Sequence, residues 1–416
     1  MNQGGRRAWW CAVLIAMIGF ATTTQGAGAG YWHTSGNQIL DANNQPVRIA
    51  AVNWYGFETT IAVAHGLWAQ DYKTILNLIK SSGYNTIRIP YSDQMVQTNP
   101  VVAATSINRN GINTDLPPGT RSMQVLDAII NHCGTIGLRV ILHNHRSNAG
   151  DSAQESGLWF TDQFPESVWL ANWRALTQRY LGNTTVIGMD LRNEPHNSAC
   201  WGGDPGGCPA NLDWAAAAER AGNAILAINP NLLIIVEGND RYNNAFTWWG
   251  GMLRGVATRP IVLSVPNRVV YLAHDYGPHL AWQPWFNGST TPASLNAVWS
   301  QNWGFIYNQN IAPVWLGEFG TTNNAAEIQS AAAGSQGQWF STLVQYLSAR
   351  PWFNWAYWAM NGNDSYALFN NTFGAIASQQ KQQLLASLQF PLDTAVTTPT
   401  ISALSPTSGA VGSAVT

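Results

Sequence analysis

Val186-Ile187-Gly188-Met189-Asp190-Leu191-Arg192-Asn193-Glu194-Pro195 is the stretch on which the fold turns. Its apolar run shows no polar alternation, so it reads as a strand covered on both faces, and its polar residues come only where the run stops. Runs of the same layout occur at 47–54, 85–90, 139–145, 232–237, 269–275, 313–318 and 352–358. Helical patterns separate them, at 72–82, 123–136, 166–180, 214–228, 294–307 and 336–347, and another follows the last run at 379–388. The stretch 242–255 is ambiguous and at most partly helical. Eight strands, each followed by a crossover, is the count of an α/β chain folded as a (β/α)8 TIM barrel. Ahead of the first strand, Asp41-Ala42-Asn43-Asn44-Gln45-Pro46 is a turn flanked by short strand patterns. It is expected to form a short N-terminal β-hairpin that closes the barrel bottom.

The barrel is assigned to residues 30–390. Residues 1–29 read as a secretory signal peptide and the start of the mature chain. Arg6 and Arg7 precede an apolar stretch from Trp9 to Phe20, and a small-residue region follows in which cleavage can fall. The apolar stretch is too short to span a bilayer, so the expectation is a secreted, extracellular protein with no stable membrane insertion after cleavage. Beyond Pro391 the composition changes to Thr, Ser, Pro, Gly and Ala. Residues 391–416 therefore read as a linker and the truncated start of an immunoglobulin-like TIG module, beginning near Ile401. Once Cys11 is lost with the leader, three cysteines remain. Cys200 and Cys208 bracket a Gly- and Pro-rich turn and are expected to pair as a disulfide. Cys133 lies in a helical pattern and reads as a buried thiol.

Of the 416 residues, 46% are hydrophobic and only 10% charged, enough apolar chain for a large core. Lys+Arg 20 against Asp+Glu 22 leaves no basic excess, which argues against a nucleic-acid partner. The 21 tryptophans are several-fold above the roughly 1% usual in soluble proteins. Aromatic faces at a surface are what sugars stack on, so the composition leans toward a carbohydrate partner.

In a barrel of this kind the working face lies at the C-terminal ends of the strands. There the sequence places Arg88, His143, His145, Asp190, Asn193, Glu194, Glu237, His274, Tyr276, Glu318 and Trp358. Hydrolysis of a glycosidic bond needs one carboxyl to protonate the leaving oxygen and another to act at the anomeric carbon. Glu194 and Glu318 are the candidates. Arg88 is a plausible cation for Glu318, Tyr276 a donor to it, and the Asn193 amide can hold a sugar hydroxyl. The plainer alternatives are that Glu194 caps the next helix and that Glu318 only pairs with Arg88. Glu237 reads as part of a buried network, and Asp190 as structural, facing the same way as Arg192 and Glu194 by alternation. His143 and His145 have metal-ligand spacing along a strand, with His274 and Asp275 available to join them, yet a hydrogen-bonding role around a sugar fits His145 better. Among tryptophans at strand ends or in loops (Trp68, Trp159, Trp201, Trp248, Trp282 and Trp285 are others), Trp54, Trp249 and Trp358 are expected to form a stacking cleft.

The segments Asn53-Trp54-Tyr55-Gly56-Phe57-Glu58, His65-Gly66-Leu67-Trp68, Ile87-Arg88-Ile89-Pro90, Arg192-Asn193-Glu194-Pro195-His196, His274-Asp275-Tyr276 and Leu316-Gly317-Glu318-Phe319-Gly320 together resemble the family 5 glycoside hydrolases. The similarity is to bacterial secreted endo-1,4-β-glucanases, the cellulases, and runs from about Gly30 to Phe390. It implies a retaining double displacement with Glu194 as acid/base and Glu318 as nucleophile, the carboxyls ~5 Å apart. It also implies that Arg88 orients the nucleophile and that His145 and Asn193 contact the sugar. His274 and Tyr276 would lie between the carboxylates, with Trp358 as a platform. The implied partner is a β-glucan polysaccharide acted on by a monomer, with no metal and no cofactor. A non-catalytic sugar-binding barrel and a metal-dependent hydrolase built on His143, His145 and His274 are the competing readings. The loop 146–157 fits no pattern.

Overall fold

A computed structural model describes residues 28–390. The expected leader, up to residue 27, and the expected linker and TIG segment at 391–416 lie outside the described residues. Eight parallel strands close into a barrel: Ala50–Asn53, Thr86–Ser92, Arg139–Arg146, Val186–Asp190, Leu233–Glu237, Val269–His274, Val314–Glu318 and Asn354–Tyr357. The last pairs with the first through Ala356 and Ala51. All eight expected strands are present.

The crossover helices follow their apolar spacing. In Tyr72–Ser81, Tyr72, Ile75, Leu76 and Ile79 recur on one buried face, and the Asp71 carboxylate accepts the Lys73 N–H at the helix start. The expected helix at 294–307 is observed as Pro292–Trp299 and Phe305–Asn308, joined by a wider π turn at Ser300–Gly304. That turn brings Gly304 against Tyr346, where a Cβ would lie 2.0 Å from the phenol oxygen.

Three local expectations change. The N-terminal hairpin, His33–Ser35 with Gln38–Leu40, gains a third strand, Pro46–Val47, because Val47 pairs back with Ile39 before the chain turns into the barrel. Val47 therefore belongs to the small sheet and the barrel begins at Ala50. The ambiguous stretch 242–255 holds a hairpin, Arg241–Tyr242 with Ala245–Phe246, turned by Asn243 and Asn244 at φ 49° and 60°. Paired positive φ is the geometry that asparagine tolerates in a two-residue hairpin loop. A short 3-10 turn follows at Arg254–Ala257. The loop 146–157 is braced from within, since the Arg146 guanidinium donates to the carbonyls of Asn148, Ser152 and Ala153 and pairs with Glu155.

The barrel interior has two storeys. Below, Ala51, Ile141, Ile187, Leu233, Ile235, Val270, Leu272, Trp315 and Ala356 form a dry cluster with Trp32, Ile39 and Val47 of the small N-terminal sheet. Above lie the polar strand ends. The last helix, Gln379–Ala386, is tied to this upper rim by Lys381, whose ammonium donates to the carbonyls of Thr321, Tyr366 and Ala367. Because the ammonium is fully buried and gives three hydrogen bonds, Lys381→Met is expected to lower the unfolding free energy by about 3 kcal/mol. Chemical denaturation of the two proteins checks this, and an unchanged midpoint would refute it.

Candidate active site

Arg88 organises the floor of the cleft. Its fully buried guanidinium donates from Nε to Asp190 Oδ2 at 2.7 Å and from Nη1 to Glu318 Oε1 at 2.5 Å. Nη1 also reaches Asn53 Oδ1 at 2.9 Å, and Asn53 is oriented in turn by donating to the Gly317 and Tyr357 carbonyls. Tyr276 donates its hydroxyl to the other Glu318 oxygen at 3.0 Å. Glu318 thus carries a charged donor on one side and a phenol on the other, with its side chain only 5% exposed.

Glu194 sits across the cleft, four residues past the end of the fourth strand. It takes φ 43°, a left-handed conformation that costs a non-glycine residue and needs support. The alternation expected through Asp190, Arg192 and Glu194 does not hold, because the strand has ended. Arg192 turns away to donate to Asn144 and to the Leu158 carbonyl. Asp190, which reads as structural, faces Arg88 and accepts from its Nε. His274 Nδ1 lies 2.9 Å from Glu194 Oε1, 3.1 Å from Glu237 Oε1 and 3.6 Å from Glu318 Oε2. Two carboxylates that share one nitrogen at 2.9 and 3.6 Å are no further apart than those distances combined. That places them at or below the lower edge of the ~6.5–9.5 Å spacing of inverting pairs.

Burial decides the protonation states. His143, His145 and His274 are driven well below the usual imidazole value, first by desolvation and then by neighbouring cations, Arg88 among them, so they are neutral. His143 Nδ1 lies 2.9 Å from Asp190 Oδ2, and its Nε2 lies 3.0 Å from His145 Nδ1 and 3.2 Å from Asn193 Oδ1. Glu194 is held well above the ordinary carboxylate range by desolvation and then by the charge of Glu318. Glu318 is also raised by burial, but Arg88 and Tyr276 pull it back to about 7. The two carboxyls are therefore unequal, and the proton stays longer on Glu194.

The cleft, about 540 Å³, is lined by His145, Glu194, Trp249, Tyr276, Glu318 and Trp358, with walls from loops 151–153 and 280–283. Trp249 is 43% exposed and stacks at 3.7 Å on His196, which leaves its outer face open. Trp358 lines the cleft with its ring nearly parallel to those of His145 and Tyr55, centroids 5.8 and 5.5 Å away. Trp54 is a correction. It is fully buried and gives its indole N–H to the His65 carbonyl, so it has no face for a sugar. Tyr55, the next residue, instead stacks on Trp358, which lines the cleft. Trp159 and Trp201 are likewise core.

The structure brings Arg88, His145, Asn193, Glu194, His274, Tyr276, Glu318 and Trp358 together at one end of the barrel. Asn53, Tyr55 and the contact of Glu237 with the Glu194 backbone were not foreseen. Asn53 ends the first strand, the same cue that marked the others. Two groups, His143–His145–Glu318 and Glu194–Glu237–His274, hold ligand-type atoms within 4.8 Å of one another. In the first, His143 faces His145 while Arg88 and Tyr276 hold Glu318, and in the second His274 faces Glu194. Asp275, a candidate ligand, faces away and accepts the Trp339 indole N–H at 2.7 Å. Cys200 and Cys208 form the expected disulfide, with Cα atoms 5.5 Å apart, and Cys133 is a buried free thiol.

Residues 40–364 match the family model for cellulase, glycosyl hydrolase family 5. An endoglucanase of Paenibacillus polymyxa is 44% identical over 337 residues, 80% of each chain. The major extracellular endoglucanase of Xanthomonas campestris is 32% identical over 384 residues, 91% of this chain and 75% of that protein. The solved catalytic domain of the Xanthomonas enzyme superposes with a TM-score of 0.76 at 33% identity, covering 86% of this chain and 99% of that one. A cellotetraose complex of an endocellulase from Pyrococcus horikoshii gives 0.75 at 30% identity, covering 88% of this chain and all of that one. An unequal pair of buried glutamates in an aromatic cleft, on a barrel with these relatives, leaves one assignment: the chain belongs to the cellulase family, glycosyl hydrolase family 5.

Proposed function

We propose that this protein is a secreted, retaining endo-β-1,4-glucanase that cuts internal bonds of cellulose or related β-glucans, with Glu194 as acid/base and Glu318 as nucleophile. The observation that carries the reading is the unequal environment of the two carboxyls. Glu318 meets the Arg88 cation and the Tyr276 hydroxyl, both donors to an anion, whereas Glu194 meets neutral groups alone, His274 and the Asn193 side chain. In the first step Glu318 attacks the anomeric carbon as the glycosidic bond breaks, and the Glu194 proton passes to the departing oxygen. Formation of the ester removes the Glu318 charge, which was one cause of the raised Glu194 value, so Glu194 stays ionised after giving up its proton and is available as the general base. It takes a proton from water, and the hydroxide carbon bond replaces the ester. His145 and Asn193 would contact the sugar at the reaction centre, with Trp358 and Trp249 as stacking faces on either side.

The catalytic unit is 30–390, preceded by an export signal at 1–29 and followed by a linker and the start of a TIG-like module at 391–416. It acts as a monomer on polysaccharide. No helix of the described residues is long and apolar enough to cross a membrane. Incubation with carboxymethylcellulose, galactomannan and xyloglucan, with and without chelator, tests the reading through viscosity and reducing ends. A fast viscosity drop on carboxymethylcellulose, unaffected by chelator, is expected. Preference for mannan or xyloglucan would move the substrate and keep the mechanism. No hydrolysis of any of them would sink the proposal.

A further inference from the structure

Glu237 is a third carboxyl at the centre of this site, completely buried at the end of the fifth strand. Its Oε2 accepts the backbone N–H of Glu194 at 2.9 Å, and that residue is the one held at φ 43°. Its Oε1 lies 3.1 Å from His274 Nδ1, the nitrogen that also lies 2.9 Å from Glu194 Oε1. The other His274 nitrogen faces Arg88 Nη2 at 3.5 Å, so the ring proton belongs on Nδ1. That N–H is engaged by Glu194, and Glu237 Oε1 stands beside it buried and without a hydrogen-bond partner of its own. The space around Glu237 is also reserved for it, because a Cβ on Gly250 would come within 1.9 Å of Oε1.

We propose that Glu237 is the positioning residue of the acid: one oxygen clamps the Glu194 backbone in its left-handed turn, and the other competes for the His274 proton, so that Glu194 keeps its own proton until the leaving group takes it. The inference rests on the reading of Glu194 as acid/base. Two carboxylates facing one neutral imidazole cannot both be ionised without strong repulsion, the situation in which a pair retains a proton to high pH. The charged and titratable groups that face Glu237 are Glu194 and Asp190 from the fourth strand and its exit, Arg88 from the second, and His274 from the sixth. Only Arg88 among them is a cation, and it is already engaged by Asp190 and Glu318. Burial and the Glu194 charge accordingly hold Glu237 well above the usual carboxylate range.

The test is the pH profile of kcat/KM on a soluble β-glucan for the parent and for Glu237→Gln. The amide oxygen can still accept the Glu194 N–H, but there is no second carboxyl to repel the Glu194 anion once the last proton leaves, so Glu194 ionises more readily. The alkaline limb is expected to move to lower pH by about one unit, a tenfold change in the ionisation constant. An aryl β-cellobioside whose leaving group needs no protonation is expected to show a smaller shift. Gly250→Ala displaces the carboxyl with Glu237 itself intact and is expected to move the limb the same way, which keeps the test alive if Glu237→Gln fails to fold. A loss of activity that is uniform across pH in both variants, the limb unmoved, would overturn the proposal. A parent enzyme that hydrolyses no β-glucan would instead overturn the reading beneath it.

Discussion

Replacing Glu318 by Gln is expected to lower turnover of a β-1,4-glucan by on the order of 10⁴-fold or more, as removal of a covalent nucleophile does elsewhere. Glutamine has the same shape, and its amide oxygen can still accept from Arg88 Nη1, which lies 2.5 Å from the glutamate oxygen. It cannot form the ester. The stacking faces of Trp358 and Trp249 are untouched, so cellotetraose should still bind, with affinity within a few-fold of the parent. Steady-state kinetics and calorimetric titration measure the two quantities separately. Near-parental turnover would remove Glu318 from the nucleophile role. A second effect follows from the charge: without the Glu318 anion, Glu194 loses one cause of its raised value. Its ionisation, followed by a carboxyl-specific infrared band, should fall to lower pH.

Arg88→Leu is expected to have the largest effect on stability. The guanidinium is the direct ion-pair partner of both Asp190 and Glu318, each with a side chain 5% exposed or less. Removing one member of a buried charge network leaves uncompensated charge and costs about 3–5 kcal/mol. The pH dependence has a defined sign. Glu318 rises from its ordinary 4.5 to about 7 in the folded protein. A carboxyl raised on folding contributes stability below its unfolded value and loses that contribution as pH climbs through the folded one. In the variant the folded value goes higher still, so the loss extends beyond 7 and becomes deeper. Denaturation midpoints at pH 4.5 and pH 8 should therefore diverge more in the variant than in the parent. A constant difference at both would argue that Arg88 contributes packing rather than charge.

Most of the barrel was legible because each parallel strand is apolar along its length and polar only at its exit, so the ends announce themselves. Arg88, His145, Asn193, Glu194, His274, Tyr276 and Glu318 were legible for that reason. What failed was side-chain direction where a strand gives way to a turn. Trp54 and Tyr55 are neighbours at one such exit, and nothing in their spacing tells which ring enters the core. Arg192 misled in the same way, since alternation stops with the ladder at Asp190. The loop 146–157 is opaque because its support is the Arg146 guanidinium on backbone carbonyls together with scattered bonds such as Ala149 N–H to Gln94 and Gly150 N–H to the Glu58 carbonyl, which leave no periodic mark. Glu237 was seen as buried, but its grip on the Glu194 amide depends on two strands meeting in space.

The small three-stranded sheet under the barrel has a consequence for how such a chain can vary. With Trp32, Ile39 and Val47 stopping the lower end, the apolar half of the cylinder is complete without any residue that touches the cleft. Selection for heat resistance and selection for a new glycan can then act on separate sets of positions in one domain. Rim loops are free to diverge above a foundation that never meets the substrate.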